Sequence, residues 1–139
     1  MELTAVALQT VAENQNVLFT DAVVFGCPSI VHRNGSGLVT LRGLTNQCRA
    51  RFKVSFGANI AIPTGGTVGP ISLAISIDGE PLGSTLMIET PAAVEQFSNV
   101  FSAIFINVPA GCCLTIGVRN TSDQAIDVQN ANLIIERVA

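Results

Sequence analysis

Tryptophan and tyrosine are absent from this chain, histidine occurs once, and charged residues make up only 12% of its 139 positions. An average domain carries about 25% charged residues. With 7 basic and 10 acidic residues and a formal net charge of −3, the chain has no basic footprint for a phosphate backbone, which excludes nucleic acid as the expected partner. Its 48% hydrophobic content excludes disorder, because chains that fail to fold are poor in apolar residues and rich in charge. No apolar run approaches the roughly 18 to 20 residues of a membrane-spanning helix. Stretches such as Ala103-Ile104-Phe105-Ile106 end within a few residues, so no membrane is expected either.

The four cysteines are Cys27, Cys48, Cys112 and Cys113. None forms a C-x-x-C pair, and the single histidine, His32, supplies no second ligand cluster, so no metal site is expected. The cysteines are expected as small buried hydrophobes, and His32, beside Arg33-Asn34-Gly35, as a surface turn residue. The opening Met1-Glu2-Leu3-Thr4 lacks the basic stretch and apolar block of a secretory signal. The protein is therefore expected to be made and used in the cytosol, or to leave as part of a larger particle or by lysis.

What is present is a hydrophobic excess that a surface short of charge must place somewhere. Obligate oligomers have subunit surfaces resembling a domain core cut in half, and a second copy of the chain is the expected partner. The length fits one domain over residues 1–139, which can bury roughly 68–70% of its unfolded surface without staples.

Period-two alternation marks the strands. From Arg51, Phe52, Val54, Phe56, Ala58, Ile60 and Ile62 share one face, while Arg51, Lys53, Ser55, Gly57 and Asn59 share the other. A second strand places Ile71, Leu73, Ile75 and Ile77 inward and Ser72, Ala74, Ser76 and Asp78 outward. Asp78-Gly79 then predicts a two-residue type I′ hairpin, with a return strand over Leu82–Glu89. Leu114, Ile116 and Val118 mark a further strand, and Ile126–Val138 the last. Gly-, Pro- and Asn-rich breakers separate these runs at short intervals, as in an all-β sandwich or barrel. No segment has a convincing helical period; Ala92–Gln96 could make one turn at most.

Phe97–Val108 breaks the pattern. One parity reads Phe97, Asn99, Phe101, Ala103, Phe105, Asn107; the other reads Ser98, Val100, Ser102, Ile104, Ile106, Val108. A strand apolar on both faces is covered on both faces. In a two-layer sandwich the second cover is a neighbouring subunit, or else a loop of the same chain. Phe97, Asn99, Phe101, Ala103 and Phe105 are the candidate interface, with Phe101 and Phe105 as its aromatic anchors.

Several stretches resemble the trimeric jelly rolls of the tumour necrosis factor and complement globular-head family, in particular its bacterial and phage branch, which includes heads of collagen-like spore-surface proteins. They are Thr10–Ala12 through Val17–Phe19, Asn34-Gly35-Ser36-Gly37-Leu38-Val39-Thr40-Leu41, Arg51–Phe56, Ile75–Leu82, and Ile106–Gly111 followed by Leu114–Val118. Cys112 stands where that family commonly has aspartate. The resemblance implies an all-β, two-sheet antiparallel jelly-roll sandwich of eight to ten strands and a homotrimer. It implies that Arg51–Ile62, Phe97–Val108 and Ile126–Val138 share the sheet lining the threefold axis. It also implies that Cys48, Cys112 and Cys113 gather at one end, with Cys48 within about 10 Å of one of the pair, a loose allowance over disulfide range.

No catalytic set is recognisable. There is no G-x-S-x-G elbow and no P-loop, and the acidic residues lack the spacing of a glycosidase pair or calcium loop. Asn34-Gly35-Ser36 and Asn120-Thr121-Ser122 match glycosylation sequons. The expected protein is not an enzyme and has no cofactor. It is a homotrimeric structural protein, a decoration or accessory component of a bacteriophage-type virion in contact with other particle proteins. The alternative is a surface or secreted trimeric head that binds a receptor or glycan, although the missing tryptophan and tyrosine remove the usual sugar-stacking rings.

Overall fold

The alternating run from Arg51 is the spine of one of two sheets. The computed structural model describes residues 1–24, 29–43, 49–110 and 113–138. Their strands are β1 (Glu2–Ala5), β2 (Gln9–Val11), β3 (Asp21–Val24), β4 (Ile30–His32), β5 (Val39–Arg42) and β6 (Arg49–Ala61). They continue as β7 (Ile71–Ile77), β8 (Glu80–Pro81), β9 (Met87–Glu89), β10 (Ser98–Pro109), β11 (Cys113–Asn120) and β12 (Ile126–Arg137). The first sheet has the order β10-β6-β12-β1-β3, with β2 also on β12; the second has β4-β5-β11-β7-β8, with β9 also on β7. Every pairing is antiparallel. Because β1 and β2 share β12, and β8 and β9 share β7, each sheet is five positions wide. The resulting ten positions agree with the expected architecture.

The two inner faces meet in one apolar core. Phe52, Val54, Phe56, Ala58, Ile60 and Ile62 are all buried, with Leu41, Leu73, Ile75, Ile116, Val118, Leu133 and Ile135 opposite or beside them. Each large side chain so buried contributes about 1.5–3 kcal/mol relative to exposure. Phe19 meets Phe56 edge-to-face at 6.3 Å between ring centroids, a favoured aromatic geometry.

The hairpin at Asp78-Gly79 forms as expected. Ile77 pairs with Glu80, and the two central residues have φ of 51° and 87°, the left-handed conformation that a type I′ turn demands. The return strand is different. It breaks at a 3-10 turn over Gly83–Thr85, so β8 and β9 replace a continuous Leu82–Glu89. The buried Thr85 hydroxyl fills the gap, accepting the Ile75 N–H at 3.0 Å and donating to the Leu82 carbonyl at 2.8 Å. This turn, not Ala92–Gln96, is the only helical element among the described residues.

Four other expectations are corrected. Ala74 and Ser76 are buried although assigned to the outer face of β7. The next strand brings Gly117 opposite Ser76, and a Cβ there would lie 2.9 Å from the Gly37 carbonyl oxygen, so chain packs closely over this outer surface. The opening is also richer than Thr10–Phe19. β1 docks between β12 and β3, while Val17–Phe19 runs irregularly, with the Val17 N–H on the Val118 carbonyl at 2.8 Å. His32 is half-buried rather than a surface residue. Its Nε2 is 2.9 Å from the Ser36 carbonyl, its ring packs edge-on to Phe19 at 6.5 Å, and its buried Nδ1 has no hydrogen-bond partner among the described residues. Cys113 is exposed, not a buried hydrophobe. The Cys48–Cys112/Cys113 juxtaposition lies outside the described residues, as does the burial of Cys27. The pairing on which that juxtaposition rested is present, with Arg49 opposite Pro109.

Asn120 closes one end of the sandwich. It is wholly buried; its Nδ2 donates to the carbonyls of Val11 (3.0 Å) and Gln124 (2.9 Å), and its Oδ1 accepts the Ser122 N–H at 2.9 Å. This engaged amide is closed to glycosylation in the folded chain, whereas Asn34 is exposed.

Candidate functional site

The outward face of the β10–β6–β12 sheet has the character expected of an interface. β10 is its edge strand, paired along its whole length with β6. Alternation sends Val100, Ile106 and Val108 into the core and Asn99, Phe101, Ala103, Phe105 and Asn107 outward. Phe101 is 66% exposed and Phe105 61%. Four residues apart on one face, they sit about 13 Å from each other along the strand. Phe97, just ahead of the strand, is 41% exposed. No described segment of the same chain covers these rings, so the loop alternative finds no support among the described residues.

Register arranges the face in rows across the strands. Phe101, Gly57 and Asn132 form one row; Ala103, Ser55 and Ile134 the next; Phe105, Lys53 and Glu136 the third. The middle column is small at Gly57 and Ser55, leaving the aromatic ridge of β10 raised above it. Ile134 adds apolar surface from β12 and is also exposed. Arg51 and Lys53 on β6 balance Glu136 on β12 and Glu2 on β1. Arg51 Nε donates to Asn107 Oδ1 at 3.4 Å and Asn132 Nδ2 to Glu2 Oε2 at 2.5 Å. The chemistry on offer is apolar burial within a charge-balanced rim. No group of three or more metal-capable side chains occurs among the described residues.

The structure thus brings Asn99, Phe101, Ala103 and Phe105 onto one exposed face, with Phe97 at its margin. Sequence reasoning missed Ile134, whose parity in Ile126–Val138 could have placed it outward. It also missed a row of asparagine side chains, Asn99, Asn59 and Asn130, at one end of the same face. Their alignment depends on register between distant strands.

With that geometry in hand, the fold can be compared with others. No protein-family model matches the chain, and no curated protein sequence does. Among solved structures, the globular domain of zebrafish complement 1qA protein superposes with a TM-score of 0.64 at 12% identity, covering 96% of this chain and 93% of that one. A CBM35 from Cellvibrio japonicus Abf62 aligns over 100% of this chain and 98% of that one at 9% identity, with a TM-score of 0.40 that carries no argument. The first likeness shows the fold. The chain is an all-β, two-sheet antiparallel jelly roll of the complement globular-head, tumour necrosis factor-like type.

Proposed function

We propose that this chain is a non-enzymatic structural protein that works as a homotrimer and serves as a decoration or accessory component of a bacteriophage-type particle, alongside other particle proteins. The observation that carries the reading is the pair of exposed aromatic rings, Phe101 and Phe105, on one face of the edge strand β10. Large exposed apolar patches on a folded domain mark interaction surfaces. A second copy suits this one because its rim carries both charge signs, which allows copies to compensate one another.

Threefold symmetry follows from the resemblance to the tumour necrosis factor and complement heads, whose corresponding sheet lines the trimer axis. The particle role is supported by the low charge of the chain, fitting a subunit whose surface is largely covered by neighbours. Electron microscopy of purified virions with a labelled antibody tests it, together with the genes flanking this one. Label on the particles and a place among capsid and tail genes are expected. Unlabelled particles would overturn the virion role and favour the receptor- or glycan-binding head.

A further inference from the structure

The row of asparagines has a direction. Asn99 Nδ2 donates to Asn59 Oδ1 at 3.2 Å, and Asn59 Nδ2 donates to Asn130 Oδ1 at 3.2 Å. The two ends are therefore unlike. Asn99 Oδ1, on the edge strand, is an acceptor with no partner among the described residues; Asn130 Nδ2, on β12, is a donor in the same position. If all three amides were turned over together the direction would reverse, but the ends would still be unlike.

Backbone distortion places Asn130 in this row. Opposite Asn59 and Gly57, β12 carries one residue too many, a β-bulge between Gln129 and Asn132. Asn130 sits in it at φ 56°, a left-handed conformation that asparagine tolerates better than most residues. A bulge re-aims a side chain. Here it turns both Gln129 and Asn130 to the outer face, and Asn130 reaches Asn59.

We infer that this amide row sets the register of the homotrimer: Asn99 of one copy accepts a hydrogen bond from Asn130 of the next, closing a ring of nine side-chain amides around the axis. This rests on the trimer proposed above and deepens it. Unlike ends are what a head-to-tail interface requires, because such an interface joins two different patches and closes into a ring. A twofold contact could also pair Asn99 with Asn130, reciprocally, but it closes at two copies, whereas the head-to-tail ring runs on to three. The aromatic ridge supplies apolar burial but little directional information, since rings can slide along a strand face. A hydrogen-bonded polar layer supplies it, as a single buried asparagine does in coiled coils.

The test is a pair of cysteines, Asn99→Cys with Asn130→Cys, oxidised in solution beside the unmodified chain and both single variants. Within one copy the two positions flank β6 at about 9.6 Å, two strand spacings, beyond the roughly 4.4–6.8 Å of a disulfide. A 99–130 disulfide found by mass spectrometry is therefore between copies, and a covalent trimer is expected only from the double variant. As an independent check, Asn130→Gly keeps the left-handed backbone and removes the amide. Its trimers are expected to exchange labelled subunits at least tenfold faster than wild type. A trimer by sedimentation with neither the 99–130 disulfide nor faster exchange would overturn the amide ring and leave the trimer standing. A wild-type monomer would overturn both.

Discussion

The ring of Phe101 lies against Gly57, its partner across the β6–β10 ladder: Phe101 Cδ2 is 3.5 Å from where a Cβ on Gly57 would sit. The glycine lets the ring lean over the neighbouring strand, and the ring shields a stretch of backbone otherwise bare. One consequence is separable in experiment. Phe101→Asp removes an exposed ring and adds a charge to a face proposed to be buried only between copies. Chemical denaturation of the dissociated chain should shift by no more than about 1 kcal/mol, the scale of one cross-strand pair. The trimer should weaken by at least about 2 kcal/mol, the scale of an interface anchor. An intact trimer from Phe101→Asp, measured by sedimentation, would mean that this face is not the interface.

Asn120 should behave oppositely. Replacing it with alanine strands the Val11 and Gln124 carbonyls and the Ser122 N–H in a buried site. A loss of about 3 kcal/mol in urea unfolding is expected, since each unsatisfied buried group costs about 1–3 kcal/mol. Asn34→Ala, on an exposed turn, should change stability by less than about 0.5 kcal/mol.

Thr85→Val keeps the shape of a buried side chain and deletes its hydroxyl. The Ile75 N–H then loses its acceptor at the break between β8 and β9. Destabilisation of about 1–3 kcal/mol is expected. Exchange measured by NMR should show the Ile75 amide losing protection more than its neighbours in β7.

Gly79→Ala isolates a backbone effect. No atom lies within 4 Å of the added methyl, but φ is 87°. The expected cost is about 1–2 kcal/mol, from the left-handed conformation alone. Gly69→Ala, with equal space and no positive φ, should cost far less in the same thermal melts.

The parts of the fold that could be read from sequence are those where alternation runs long enough to count. Arg51–Ile62 and Phe97–Val108 each span about twelve residues, and both were located with their faces correct. Asp78-Gly79 was read because turn chemistry is local. By contrast β1, β3 and β4 are 4, 4 and 3 residues long, too short for period two to emerge. The break at Gly83–Thr85 depends on a hydroxyl reaching a strand ten residues back. Ala74 and Ser76 looked outward because small residues do not announce what packs over them. Of the candidate site, the β10 residues were visible, as parity along one strand. The partners that make it a surface, Gly57, Ile134 and the amide row, depend on register with strands about forty and thirty residues away and on a bulge that no local residue pattern signals.

The most direct measurement is the mass of the protein in solution, by sedimentation equilibrium or light scattering at micromolar concentration. One species at three times the 14.5 kDa chain mass is expected, because the Phe101–Phe105 face is then covered. A stable 14.5 kDa monomer would contradict it.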